Sequence, residues 1–334
     1  RVGLSFSRAL TPAGPGLRVP VISVGALTLG GAGKTPFVAA LLESLLERGV
    51  RVGVVGSGYG RQSARRLLGD GRIIAQCGAS VAGDELAELA ARFPRAWFSV
   101  SITKRAAAEA LAATGEVDVL LIDDGFQTRG LQRDLDVLLI SAESKPGEYR
   151  LAPAGKLREP LAALARADAV VYTKLSAETA SPEAWLTRLV EKHIGERAAK
   201  NTFAAWNETQ LRPVYPHAEA ESNQEELHGP ALVAVGLADN TGFLRSAERS
   251  GADIRRVIEF DDHFPYDAAW AARLRAEIEN SGCAGLLTSA KDWSKLKEYE
   301  WGRPVWELAV RTRAPQMDRL LEMIENITVS RESS

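Results

Sequence analysis

The chain has 334 residues, 46% hydrophobic and 25% charged, with a formal net charge of −2, and this length and composition predict a globular protein of about two domains. The near-neutral charge argues against general nucleic-acid binding, which needs clustered positive charge. Two cysteines without metal-ligand spacing, and the lack of any run approaching roughly 18 apolar residues, argue against a zinc centre, a disulfide framework and a membrane-spanning segment.

The first predicted elements are a strand at 19–24, a glycine-rich turn and a helix that begins at Lys34. The turn has the sequence Gly30-Gly31-Ala32-Gly33-Lys34-Thr35. A strand, a glycine-rich loop, Lys-Thr and a helix make up a P-loop, whose backbone N–H groups bind phosphate oxygens. We expect Lys34 to reach the β- and γ-phosphates and the Thr35 hydroxyl to bind Mg²⁺. The strict pattern has glycine where this chain has Thr28, so the loop is a variant.

Strand-like and helical patterns then alternate along the chain, which predicts a doubly wound, mostly parallel α/β sheet. Further strands are expected at 52–55, 96–100, 117–122, 136–140, 169–172, 202–205, 231–235, 257–260 and 285–287. Further helices are expected at 85–92, 104–113, 182–193, 241–250 and 266–280, with a polar loop at 213–229. A Pro/Gly-rich stretch at 145–160 suggests a P-loop domain over 1–150 and a second, smaller α/β domain over 151–312. An amphipathic helix at 315–328 is expected to pack back on the first domain.

Two acids follow the most apolar strand. Asp123 and Asp124 end the run 117–122, and an acid at the end of a strand near a P-loop holds Mg²⁺ directly or through water. A single aspartate there would as often cap a turn, but the pair downstream of a P-loop favours a metal site.

Weaker signals have ordinary alternatives. Asp262-His263 could be a carboxylate-oriented general base or a local cap. Asp84 could be catalytic or a helix N-cap. The basic group of Arg150, Lys156 and Arg158 could bind an anion or lie on a solvated surface.

Taken in order, the motifs resemble those of the tetraacyldisaccharide 4'-kinases, which phosphorylate a lipid A precursor in Gram-negative bacteria. The matching segments are GGAGKTP at 30–36, GYGR at 58–61, GDE at 83–85, KR at 104–105, DDGFQ at 123–127, LAPAGKLREP at 151–160, DHFPY at 262–266 and TSAKD at 288–292. The resemblance implies ATP and Mg²⁺ at Lys34, Thr35, Asp123 and Asp124. It also implies that Asp84 and His263 activate a sugar hydroxyl, with the second domain closing over the acceptor.

The resemblance further implies an anionic glycolipid substrate, tetraacyldisaccharide 1-phosphate, which accepts a phosphoryl group on its 4'-hydroxyl. We expect its contacts among Gln127, Arg150, Lys156, Arg158 and Glu159. The chain is expected to act as a monomer at the cytoplasmic face of the inner membrane, without binding nucleic acid. Because it opens on Arg1 rather than Met, we expect a preceding segment that could anchor it there.

The chain departs from the family pattern at five positions near the expected phosphate site. The family usually has Asn, Ser, Arg, Pro and His where this chain has Ala26, Gly56, Ser57, Leu86 and Thr128. Losing an Arg and a His beside a phosphate site would weaken the binding of an anion. The remaining motif residues predict a divergent but active member.

Two other functions fit parts of the sequence. A GTPase or metallochaperone-type NTPase would need an Asn/Thr-Lys-x-Asp run, but the chain has Thr173-Lys174-Leu175-Ser176 with no acid. A catalytically decayed nucleotide-binding relative is the second alternative, and the intact set of Lys34, Thr35, Asp123 and Asp124 argues against it.

Overall fold

A computed structural model describes residues 16–56, 66–175, 181–216, 227, 229–237, 239–262 and 264–332. The chain divides into two compact units, which we call unit 1 (Arg1–Asn207 with Thr312–Ser334) and unit 2 (Glu208–Arg311). The first boundary therefore lies later than the predicted one at 150. The reason is that two strands beyond the Pro/Gly-rich stretch still pair with the sheet of unit 1.

The sheet of unit 1 has eight strands in the order β3-β4-β2-β5-β1-β6-β7-β8. These strands are β1 (Val21–Ala26), β2 (Val52–Val55), β3 (Leu67–Asp70), β4 (Trp97–Val100), β5 (Val119–Asp123), β6 (Leu135–Ser141), β7 (Ala169–Thr173) and β8 (Thr202–Ala204). All neighbouring pairs are parallel except β3 with β4. The central strands are apolar and fully buried, as expected for parallel strands that are covered on both faces. The predicted doubly wound α/β fold is confirmed.

The helices are α1 (Lys34–Glu47), α2 (Gly71–Cys77), α3 (Ala79–Ala82), α4 (Asp84–Arg92), α5 (Lys104–Ala112), α6 (Ala184–Glu191), α7 (Glu196–Lys200), α8 (Asn240–Arg249), α9 (Ala268–Ser281), α10 (Ala290–Leu296) and α11 (Met317–Glu332). The C-terminal helix α11 belongs to unit 1, where Leu320, Leu321 and Ile324 are buried in the same core as α1 and β1. None of the described helices combines the length and the apolar composition that crossing a bilayer requires.

Unit 2 is built around a second sheet with the order β11-β10-β12-β13-β9. Its strands are β9 (Trp206–Tyr215), β10 (Ala231–Val235), β11 (Ile254–Glu259), β12 (Gly285–Thr288) and β13 (Val305–Arg313). The long strands β9 and β13 were not predicted, because both carry charged residues at exposed positions and show no clean apolar alternation. One core of this unit surrounds Trp301, which is almost fully buried.

Candidate active site

The P-loop connects the end of β1 to the start of α1. Gly30 and Gly33 have φ angles of 93° and 72°, a left-handed conformation that glycine adopts without strain. Gly33 occupies the N-cap position of α1, and no side chain in the described part of the chain caps this helix. Its first-turn N–H groups are therefore left for an anion, as in other P-loops.

The first half of the loop is held by a second segment, residues 156–158. The Leu29 N–H donates to the carbonyl of Lys156 at 2.6 Å, and the Arg158 N–H donates to the carbonyl of Leu27 at 2.8 Å. Between these bonds, Thr28 forms a β-bridge with Leu157. Position 28 therefore has extended pairing and is not among the residues with positive φ, which explains why threonine is accepted where the strict pattern has glycine.

The two predicted metal ligands lie beside this loop. Asp123 is the last residue of β5 and pairs in register with Val24 of β1, so its carboxylate enters the site at the carboxyl end of the sheet. Asp124 follows with a φ of 51°, which is unusual for a residue with a side chain. The buried Oδ1 atoms of both aspartates have no hydrogen-bond donor among the described residues.

Lys104 holds the turn that carries these acids. It is the first residue of α5, and its Nζ donates to the backbone carbonyls of Asp123 at 2.6 Å and Asp124 at 2.5 Å. Burial lowers the pKa of its ammonium, although the nearby carboxylates of Asp124 and Asp123 oppose the shift. Sequence reasoning gave Lys104 no role. The only signal was the Lys-Arg pair within the ordered motifs.

Two further cations face Asp124. The Lys34 Nζ lies 3.8 Å from its Oδ1, and Nη1 of Arg158 donates to its Oδ2 at 2.7 Å. The same Nη1 lies 3.3 Å from Oε1 of Gln127, whose Nε2 donates to the Ala26 carbonyl at 3.0 Å. Gln127 thus links the acidic turn to the end of β1.

The two acids have opposite pKa shifts. Burial raises the pKa of Asp123 to about 7, with Glu85 adding to the rise and Lys104 opposing it. Burial also disfavours the Asp124 carboxylate, but Lys34, Arg158 and Lys104 outweigh it and hold the pKa of Asp124 below its usual value. Without a bound cation, the site therefore stabilises one negative charge much better than two.

The other predicted contacts lie in several environments. Arg150 is exposed, and Lys156 forms an ion pair with Glu148 at 2.7 Å. Glu159 is buried and accepts a hydrogen bond from Arg166 at 2.8 Å. Arg158 alone of the predicted basic group contacts the acidic turn through its side chain.

The predicted base pair is only partly described. Asp84 is the first residue of α4, and the N-cap position is Gly83, so Asp84 is not the cap of this helix. His263 lies outside the described residues.

Two departures from the family pattern contact each other. A Cβ atom on Gly56 would lie 2.8 Å from Cδ1 of Leu86, closer than carbon atoms approach without strain. A larger residue at position 56 would therefore require the Leu86 side chain to shift. Ser57 lies outside the described residues, and the Ala26 side chain is buried.

The site lies at the carboxyl edge of a parallel sheet and combines a P-loop, two adjacent aspartates and the cationic side chains of Lys34, Lys104 and Arg158. This combination defines a P-loop enzyme that binds nucleoside triphosphates. The model of the tetraacyldisaccharide-1-P 4'-kinase family matches residues 6–328. The chain belongs to this family.

Relatives and a solved structure agree with this assignment. The chain is 34% identical to a tetraacyldisaccharide 4'-kinase of Chlorobium phaeovibrioides, over 91% of this chain and 86% of the relative. It is 38% identical to one of Geobacter metallireducens, over 84% of this chain and 79% of the relative. A crystal structure of LpxK from Aquifex aeolicus in complex with ATP superposes with a TM-score of 0.71 at 29% identity, covering 95% of this chain and 91% of that one.

Proposed function

We propose that this chain transfers the γ-phosphoryl group of ATP to the 4'-hydroxyl of tetraacyldisaccharide 1-phosphate, a step of lipid A biosynthesis. The observation that carries the proposal is the placement of Lys34 and Arg158 against Asp124, beside an uncapped P-loop helix. Phosphoryl transfer depends mainly on positioning and on charge stabilisation, and this arrangement provides both. Family membership favours a kinase over the GTPase and metallochaperone alternative.

The residues present fit Mg²⁺. Among the described residues, two buried carboxylate oxygens lack donors, and no three His, Cys, Asp or Glu side chains form a metal cluster. Two carboxylates and a hydroxyl suit a hard cation that takes its other ligands from phosphates and water. Asp123, Asp124 and the Thr35 hydroxyl would hold the ion, which supplies charge neutralisation on the phosphates when bound. Lys34 would bind the β- and γ-phosphates, and Lys104 would keep both aspartates in place.

We propose that Asp84 and His263 activate the hydroxyl group of the acceptor. A sugar hydroxyl is a poor nucleophile, and a neutral imidazole oriented by a carboxylate can accept its proton during attack. The oxygen then bonds to the γ-phosphorus, the bond to the β-γ bridging oxygen breaks, and ADP leaves. What supports these roles is the match of the GDE and DHFPY segments to the family pattern.

We also propose peripheral contact with the cytoplasmic face of the inner membrane. The acceptor carries four acyl chains, and each buried methylene favours residence in a bilayer. The enzyme must therefore meet its substrate at a membrane surface. We propose a monomer, because one chain supplies all the described groups of the nucleotide site.

The test measures ADP release from Mg²⁺-ATP with and without the disaccharide acceptor in mixed micelles. We expect ADP release that depends on the acceptor and is matched by phosphorylated product. Release of ADP at the same rate without acceptor would indicate an NTPase. ATP binding without any turnover would indicate the decayed relative.

A further inference from the structure

The segment TSAKD at 288–292 has no role in the proposed chemistry. It forms the end of β12 and the start of α10, and the Ser289 hydroxyl caps this helix by accepting from the Asp292 N–H at 3.1 Å. Lys291 and Asp292 follow in the first turn of the helix. The side chains of both residues contact the segment 261–266, which contains the sequence-predicted base His263.

Asp292 binds the end of the segment 261–266. This aspartate is fully buried, and its Oδ1 accepts from the Tyr266 hydroxyl at 3.1 Å. Its Oδ2 accepts from the Gly236 N–H at 3.0 Å and from the Ser289 hydroxyl at 2.6 Å. Burial and the neighbouring carboxylate raise the pKa of Tyr266, so its hydroxyl keeps the proton that it donates. These bonds attach Tyr266 to the ends of β10 and β12.

Two lysines of α10 bind the residues next to position 263. The Lys291 ammonium forms an ion pair with Oδ1 of Asp262, and the Lys291 side chain is only 15% exposed. One turn later, Nζ of Lys295 donates to the Phe264 carbonyl at 3.3 Å. The Phe264 N–H donates to the Asp261 carbonyl at 3.1 Å, across the two residues between them. The backbone on both sides of position 263 is therefore bound to one helix.

An aromatic cluster holds the side chain of Phe264. The centroid of its ring lies 4.5 Å from that of Phe260, 5.2 Å from that of Tyr266 and 5.5 Å from that of Trp270. The contacts with Tyr266 and Trp270 are edge-to-face, an arrangement that aromatic rings prefer. This packing adds to the hydrogen bonds in restricting the segment 261–266.

We propose that Lys291 and Asp292 are positioning residues for the removal of the proton from the acceptor hydroxyl. Lys291 fixes the residue before the base, and Asp292 fixes the residue three positions after it. A general base must be held close to its productive geometry, because a displacement of about 1 Å can cost about 10²-fold in rate. The inference rests on the proposed function, in which His263 accepts that proton.

The experiment measures kcat and the KM for ATP in the ADP-release assay for Lys291→Met and Tyr266→Phe. Methionine keeps most of the length of the lysine side chain and loses its charge. Tyr266→Phe removes only the hydroxyl that Asp292 binds, and it leaves the buried carboxylate with its donors from Gly236 and Ser289. Lys291→Arg retains the positive charge and tests for rescue.

The matched controls make the same two substitutions elsewhere in unit 2. Lys297→Met lies at the exposed C-terminal end of α10. Tyr215→Phe removes a hydroxyl that donates to Glu300 at 2.6 Å. Each of the four substitutions is also combined with His263→Ala.

We expect Lys291→Met and Tyr266→Phe each to lower kcat about tenfold, with the KM for ATP changed less than about twofold. Lys291→Arg should stay within about threefold of the parent, and both controls within about twofold. In the His263→Ala variant, Lys291→Met and Tyr266→Phe should each lower kcat less than about twofold further, because the base that they position is gone.

An unchanged kcat in Lys291→Met or Tyr266→Phe would overturn the inference. A further tenfold loss in the His263→Ala variant would also overturn it, because these residues would then act independently of His263. Equal losses in the controls would do the same by indicating general destabilisation. These outcomes leave the kinase function intact, whereas a parent chain without acceptor-dependent ADP release would overturn the proposed function itself.

Discussion

Replacing Asp123 with asparagine should stabilise the metal-free protein while removing its response to Mg²⁺. Asp123 is 3% exposed, its Oδ1 has no donor among the described residues, and burial raises its pKa from 3.8 to about 7. A folded state with the higher pKa binds the proton more tightly than the unfolded chain does. The stability contributed by that proton is present below pH 4 and is lost as the pH rises through 7.

The magnitude follows from the pKa difference. A shift from 3.8 to about 7 corresponds to about 4 kcal/mol of unfolding free energy, lost by pH 8. The Asp123→Asn variant carries no charge to bury, but its amide needs partners, at a cost of about 1 kcal/mol. The variant should therefore be about 3 kcal/mol more stable than the parent at pH 8 in EDTA. For a domain of this size, that corresponds to a Tm roughly 6–12 °C higher.

The assay is thermal unfolding between pH 4 and pH 8 in EDTA, repeated with Mg²⁺-ATP. The parent should lose thermal stability as the pH rises and regain it with Mg²⁺-ATP. The stability of Asp123→Asn should change much less, both with pH and on addition of Mg²⁺-ATP. Asp124→Asn is the matched control with the opposite sign, because Lys34 and Arg158 hold the pKa of Asp124 low. That control should be less stable than the parent at pH 8. If Asp123→Asn has the parent's Tm at pH 8, or keeps the parent's pH dependence, the reasoning is refuted.

Four further predictions concern phosphoryl transfer. Lys34→Ala should lower turnover at least 10³-fold with an unchanged circular dichroism spectrum, and activity within a fewfold of the parent would contradict the P-loop assignment. Lys104→Met should raise the Mg²⁺ concentration for half-maximal rate about tenfold, whereas an unchanged Mg²⁺ titration would make the lysine merely structural. Arg158→Ala should reduce kcat about 10²-fold, and a change confined to the acceptor KM would show that it binds the glycolipid. Asp84→Ala and His263→Ala should each cost 10²–10⁴-fold in kcat, and the double variant should be little worse. Multiplicative losses would show that the two residues act separately.

Much of unit 1 could be predicted from the sequence, because buried parallel strands leave uninterrupted apolar runs. Strands β1, β5 and β6 correspond to such runs. The P-loop follows β1, and the two aspartates lie at the end of β5, so both features could be located from the sequence. The boundary between the units could not be predicted in this way. Proline and glycine at 145–160 mark a change in local conformation, but strand pairing depends on residues distant in sequence.

Residues that act through the backbone were also not predictable. Lys104 binds the backbone carbonyl groups of Asp123 and Asp124. Every residue has such a carbonyl group, so the sequence of the turn does not indicate this contact. The departures at Gly56 and Leu86 are 30 positions apart in the sequence, and only the fold shows that they are neighbours. Local patterns record which residues are buried, whereas such contacts depend on how distant segments pack.

The division of unit 1 into two stretches of sequence affects its synthesis on the ribosome. Residues 208–311 are translated as one continuous block, so unit 2 can complete its fold as soon as that block has emerged. The core around α1 lacks Leu320, Leu321 and Ile324 until α11 has also emerged. A nascent chain paused before residue 317 therefore leaves part of the nucleotide-binding core uncovered, where chaperones can bind it. The part of the enzyme that begins to form first is thus the last to be completed.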